Sequence, residues 1–271
     1  MILPDRFLPQ GEAVSAMLHQ VREGRMTHAL MISGEAGVGK WTLAVGLAAM
    51  LLCESADPGS RPCGKCRSCI QMEKLSHPDV IVLEKGAPLV PTDTKTVIPV
   101  SDVKEMTRRI SLQGYENNGH IVLIHRAEDM NEASQNKLLK TLEEPPEGTF
   151  FLLTCRNTDL LLPTIVSRCR PLKLHPWGDR DIIGFLTDRG IEMSKAEPAA
   201  WESGGSIGQA LKIAEDNEYW QFRDSVIHDF LGCRRRSDIL PVSSKWKDQK
   251  DRADAVFPFS KTASAGSCMT R

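Results

Sequence analysis

The segment ALMISGEAGVGKWTLAVGLAAM, residues 29–50, constrains this chain more than any other. An apolar run, a glycine-rich turn and a second apolar run read as a strand, a tight loop and a buried helix. Gly34, Gly37, Gly39 and Lys40 have the spacing of a phosphate-binding loop, in which backbone N–H groups and a lysine surround phosphate oxygens. One position departs from that pattern. The hydroxyl that should follow the lysine and hold Mg²⁺ is replaced by Trp41, and Thr42 comes one residue later. Neighbouring helical residues point roughly 100° apart, so Thr42 does not simply take the vacated place. The expectation is ATP or ADP binding at Gly34, Gly37, Gly39, Lys40 and Thr42, with poor metal placement and little hydrolysis. The plainer alternative is a loop retained for its fold.

The surrounding pattern is α/β with a largely parallel sheet, because short β-rich runs alternate with helical ones over residues 1–175. The expected strands are Ala29–Ser33, Val80–Leu83, Ile121–Ile124, Phe150–Thr154 and Leu172–Leu174, each nearly continuous in apolar residues, as for strands covered on both faces. NEASQNKLLKTLEEPP reads as a helix with Ala133, Leu138, Leu139 and Leu142 on one face, ended by Pro145 and Pro146. After Pro176 the pattern is helical alone: Asp179–Arg189, Pro198–Ser203, Ser206–Asp216 and Glu218–Leu231, the last with a stripe of Tyr219, Phe222, Val226 and Phe230. A charged helix over Trp246–Phe257 is also expected. The final PFSKTASAGSCMTR has no periodicity.

A phosphate-loop hydrolase also needs a carboxylate at the end of a nearby strand to hold the metal. The strand that should supply it is HIVLIHRAEDM, where His125 and Arg126 follow Ile124. Glu128 and Asp129 come later and are expected to start the next loop rather than reach back. Two cations in place of two anions repel Mg²⁺. If Glu128 did substitute, the chain would be an active ATPase.

Four of the eight cysteines crowd into CESADPGSRPCGKCRSC. Cys53, Cys63, Cys66 and Cys69, with two CxxC steps, form a full tetrahedral set for structural zinc over residues 53–69. Four unligated thiols are the alternative. Clustered thiols and a start without a basic-then-apolar pattern make a reducing, cytoplasmic setting the expectation, and no apolar run is long enough to span a bilayer. With 34 basic and 35 acidic residues the chain carries a formal charge of −1, so no global positive field marks nucleic acid as a direct partner. That balance, with the absence of a basic helix, argues against a zinc-module DNA-binding protein.

The order strand–P-loop–helix, four-cysteine module, HPDVIVLE, NKLLKTLEEPP and LPTIVSRC resembles bacterial DNA polymerase III clamp-loader subunits. The resemblance runs from about Pro4 to Phe257. It implies an AAA+ fold: a RecA-like domain over 1–175, a small helical lid over 176–216, and a partial, truncated helical collar over 217–271. It implies that Arg168, in Ser167-Arg168-Cys169, acts as an arginine finger on the nucleotide of an adjacent subunit. It implies gamma/tau and delta subunits as partners, with the sliding clamp and primed DNA met through the complex. Trp41, His125 and Arg126 depart from the hydrolysing gamma/tau motor type, as does Gly208, where motor subunits place a nucleotide-sensing arginine. These departures resemble the delta-prime type, a component of the polymerase holoenzyme with no independent catalysis. The gamma/tau type is the alternative.

Overall fold

The computed structural model describes residues 11–91, 96–112, 114 and 119–231. The expected helix over Trp246–Phe257, the tail and most of the expected collar lie outside the described residues, as do Cys233 and Cys268. The chain divides into two compact units, Met1–Pro176 and Trp177–Arg271.

In the first unit five parallel strands are ordered β2-β3-β4-β1-β5. They are β1 Ala29–Ser33, β2 Val80–Leu83, β3 Ile121–Ile124, β4 Phe150–Cys155 and β5 Arg170–Lys173. The three inner strands are buried along nearly their whole length, which explains their unbroken apolar runs. Ala29, Met31, Val122, Ile124, Phe151 and Leu153 share one core with Val103 and Met106 of α4 (Val100–Ile110) and Leu138 and Leu142 of α5 (Glu132–Glu143). Successive strand residues face opposite ways. The alternate set, including Leu30 and Ile32, is therefore buried on the face where α2 (Lys40–Leu52) lies, backed by α1 (Gly11–Arg22) and α3 (Arg67–Glu73).

The outer strands do not match the expectation of cover on both faces. β2 is buried only at alternate residues, and in β5 only Leu172 is buried. β5 also begins earlier than its apolar residues suggest, because Arg170 and Pro171 pair with Leu30 and Met31. A proline is tolerated there because β5 is an edge strand. On α5 the buried face is also shifted. Ala133 is exposed, while Ser134 and Gln135 are buried. Ser134 Oγ donates to the Ile98 carbonyl at 2.9 Å. Gln135 donates to the Met130 carbonyl at 3.1 Å and accepts from the Leu162 N–H at 2.9 Å. That glutamine ties the exit of β3 to the segment leading into α6 (Pro163–Val166).

The second unit contains α7 (Asp179–Thr187), α8 (Met193–Glu202), α9 (Ile207–Glu215) and α10 (Asn217–Leu231). Pro198 lies inside α8 rather than starting it. Ala196, Ala199, Ala200, Ala210 and Ala214 pack with Ile182, Leu186 and Trp220, small side chains letting the helices approach closely. Trp220 anchors the start of α10 by donating its indole N–H to the Ala214 carbonyl at 3.2 Å.

Candidate functional site

The phosphate loop joins β1 to α2, and two glycines show why its sequence is restricted. At Gly34 φ is +147° and an added Cβ would lie 2.6 Å from the Leu174 carbonyl oxygen, so the loop passes β5 too closely for any side chain. Gly39 caps α2 with φ +101°. Lys40, the first residue of α2, donates its Nζ to the carbonyls of Gly34 at 2.7 Å and Glu35 at 2.6 Å. Burial lowers the Lys40 pKa, while the Glu128 carboxylate, then Cys155 and Glu35, act in the opposite direction.

Thr42 lies in the first turn of α2, partly buried. Trp41 places its ring 4.6 Å from the His125 ring, tilted by 42°. His125 in turn meets Glu84, at the end of β2, with Nδ1 and Oε1 2.8 Å apart. Arg126 has left-handed backbone, φ 54°, held by its N–H donating to Thr154 Oγ1 at 2.9 Å. Its exposed guanidinium pairs with Asp129 at 3.2 Å. Of the two cations expected to repel a metal, His125 stands beside Trp41 and Arg126 is directed to its own carboxylate. A P-loop Mg²⁺ needs a hydroxyl after the lysine and a strand-end carboxylate. Here an indole and an imidazole occupy those sequence positions, in tilted ring contact with one another, so the residues present do not fit that ion.

Glu128 lies, as expected, at the start of the segment after β3. From that single helical turn, Ala127–Asp129, its charge acts on Lys40 and on Cys155. One carboxylate oxygen accepts the Arg156 N–H at 3.0 Å. The other is buried with no hydrogen-bond partner among the described residues. Burial, with Glu128 beside it, pushes the Cys155 thiol up to about 11. Arg156 reaches Glu35 of the loop, N to O 3.5 Å. Glu84, Thr154 and Arg156 were not singled out from the sequence. The signal for Arg156 is its place one residue beyond β4, whose Cys155 pairs with Ser33 at the loop's entrance.

The four sulfurs of Cys53, Cys63, Cys66 and Cys69 lie within 4.8 Å of one another. A tetrahedral zinc with bonds of about 2.3 Å needs sulfurs roughly 3.8 Å apart, so the cluster fits such an ion after small adjustment. Cys53 closes α2, Cys66 caps α3 and Cys69 lies within α3. Backbone N–H groups already point at the sulfurs: Cys63 N–H to Cys53 at 3.3 Å, Cys66 N–H to Cys63 at 3.3 Å and Cys69 N–H to Cys66 at 3.4 Å. The amides of Lys65 and Cys66 bring the Cys63 thiol down to about 6. Glu54 braces the module, accepting from Ser68 N–H at 3.1 Å and Ser68 Oγ at 2.7 Å.

In Ser167-Arg168-Cys169 the residues alternate in role. Ser167 closes α6, Cys169 is buried in the sheet core, and Arg168 is one-third exposed. Arg168 donates to the Thr164 carbonyl at 2.8 Å and pairs with Glu143 at the end of α5. Gly208 lies in the first turn of α9, in the second unit. Among the described residues no helix is long and apolar enough to cross a membrane.

Comparison with known proteins agrees with this architecture. Residues 9–178 match the family model described as DNA polymerase III, delta subunit. The chain is 36% identical over 207 residues to DNA polymerase III subunit delta' of Escherichia coli, covering 75% of this chain and 59% of that protein. It thus spans somewhat over half the length of that curated relative. It is also 34% identical over 212 residues to DNA polymerase III subunit gamma of Buchnera aphidicola from Acyrthosiphon pisum, covering 76% of this chain and 56% of that one. Among solved structures, a DNA polymerase III gamma subunit-related protein of Thermotoga maritima superposes with a TM-score of 0.50 at 17% identity, covering 78% of this chain and 62% of that one. That likeness concerns the fold. The family match and the sequence relatives together place the chain in the bacterial DNA polymerase III clamp-loader family, with the delta' type.

Proposed function

We propose that this chain serves a DNA polymerase III clamp loader as a delta'-type subunit that does not hydrolyse ATP itself and lends Arg168 to the nucleotide of an adjacent gamma/tau subunit. The observation that carries the reading is the Trp41–His125 contact, which fills the sequence positions where a hydrolysing subunit holds its metal. Arg168 lies in the turn after α6 with its side chain one-third exposed, where its charge can be offered elsewhere. A guanidinium aimed at a γ-phosphate is worth on the order of 10³–10⁵ in rate in related phosphoryl-transfer systems. Gly34, Gly37, Gly39, Lys40 and Thr42 remain as a place for ATP or ADP phosphates. Cys53, Cys63, Cys66 and Cys69 hold a structural zinc, since all four ligand positions are taken and none is left for chemistry. Residues 1–175 act as the RecA-like domain, 176–216 as the lid and 217–271 as part of a collar. The working partners are gamma/tau and delta subunits in the cytoplasm, with clamp and primed DNA met through the assembly.

The test is to mix the full chain with gamma and delta subunits and measure complex formation and phosphate release. The expected result is a stable complex that hydrolyses ATP on primed DNA with clamp, and no release by the chain alone. Strong hydrolysis by the chain alone overturns the reading.

A second reading, an active ATPase, draws on the Glu128 carboxylate, whose charge acts on Lys40. On that reading Glu128→Gln abolishes a turnover that the unaltered chain must first show.

A further inference from the structure

Metal and phosphate are treated differently at this loop. Trp41, His125 and Glu84 form a continuous chain, ring to ring at 4.6 Å and ring nitrogen to carboxylate at 2.8 Å. They come from α2 and from the tips of β3 and β2, and Trp41 and His125 take the sequence positions at which a hydroxyl and a strand-end carboxylate would hold a divalent cation. Glu128 does not make up the loss. One oxygen accepts the Arg156 N–H, the other is buried away from solvent with no partner among the described residues, and the charge acts on Lys40. The phosphate side is intact, with Gly34 where a side chain would clash, Gly39 in left-handed backbone that disfavours one, and Lys40 folded back on its own loop carbonyls.

A nucleotide that enters without its metal needs another positive charge. Arg156 is placed to supply it. Its backbone leaves β4 beside the loop, because Cys155 is in register with Ser33. Its guanidinium rests on Glu35 of the loop at 3.5 Å, with both side chains about two-thirds exposed. So long and wet a pair holds the guanidinium weakly. A phosphate at the loop is a better partner, since its oxygens match the planar fork of arginine.

We infer that the loop binds the phosphates of a nucleoside di- or triphosphate free of divalent metal, with Arg156 exchanging Glu35 for phosphate in the role the cation would have. This rests on the proposal that the loop still takes nucleotide. Mg²⁺ complexation of the nucleotide then opposes binding, since the ion would be carried against Trp41 and His125.

The experiment titrates the full chain with a fluorescent ADP analogue in excess EDTA and in millimolar Mg²⁺, for the unaltered chain, Arg156→Gln and Lys40→Ala. Binding in EDTA is expected to be at least as tight as in Mg²⁺. Arg156→Gln is expected to weaken it by about tenfold or more, the scale of a charge-assisted hydrogen bond, and Lys40→Ala to remove it. Circular dichroism and the thermal midpoint show whether each variant is folded; Arg156 and Glu35 are exposed, so Arg156→Gln should match the unaltered chain in both. Binding that requires Mg²⁺ overturns this inference and leaves nucleotide binding standing. Equal affinity of a folded Arg156→Gln variant in EDTA overturns the role of Arg156. No binding in either condition overturns both the inference and the reading it rests on.

Discussion

Arg168 and Glu143 form an ion pair that joins the SRC segment to the end of α5, and the same guanidinium donates to the Thr164 carbonyl at 2.8 Å. The arginine proposed to act on a neighbour is therefore held at home in the isolated chain. Roughly a third of Arg168 and nearly half of Glu143 remain exposed, so water competes with the pair. Glu143→Gln should change unfolding free energy by less than about 1 kcal/mol, as measured by urea denaturation. A loss of several kcal/mol would mean that the pair is part of the fold rather than a resting place for the arginine.

The cysteine module should depend on metal. Thiolates must be deprotonated to bind zinc, so the ion should leave as pH falls and in strong chelator. Metal analysis of the purified chain should find zinc at one ion per chain. The double variant Cys63→Ser, Cys66→Ser should lose it and drop in unfolding free energy by about 3 kcal/mol or more, within the range of lost metal sites. A metal-free chain of unchanged stability would contradict the structural role.

The helical unit carries a carboxylate that is disfavoured when ionised. The Tyr219 hydroxyl donates to Glu202, yet burial raises the Glu202 pKa. A raised carboxylate contributes stability in its protonated form, fully present below the unfolded value near 4.3 and lost as pH rises through its folded value. Glu202→Gln should therefore stabilise this unit at pH 7, with the gain vanishing below about pH 4. Thermal melts across pH provide the check, and a variant less stable than the parent at pH 7 would contradict it.

The sequence was most informative where one residue type dominates a segment. Ile121–Ile124 ends where its apolar run ends, because all four of its residues are buried. β5 was harder to read, since Arg170 and Pro171 join it through pairing with β1 and not through their own preferences. The first half of α8 is hidden because Pro198, a common helix-starting residue, sits inside it. In the site, Lys40 and its glycines, the four cysteines and the cationic pair at residues 125 and 126 are all visible as local patterns. The partners are not. That His125 meets Glu84, that Glu128 acts on Lys40 and that Arg156 rests on Glu35 all depend on strand order and on the left-handed backbone at Arg126. Those are long-range facts with no local signal.

On the proposed function, the chemistry has moved from this chain's own loop to Arg168, acting on a neighbour. The most direct measurement is ATP hydrolysis, with clamp and primed DNA, by a complex of this chain with gamma and delta subunits, comparing the unaltered chain with Arg168→Ala. The variant is expected to assemble still, while hydrolysis at the adjacent subunit's site falls on the order of 10³-fold. An assembled Arg168→Ala complex that hydrolyses ATP at the unaltered rate at that site would contradict it.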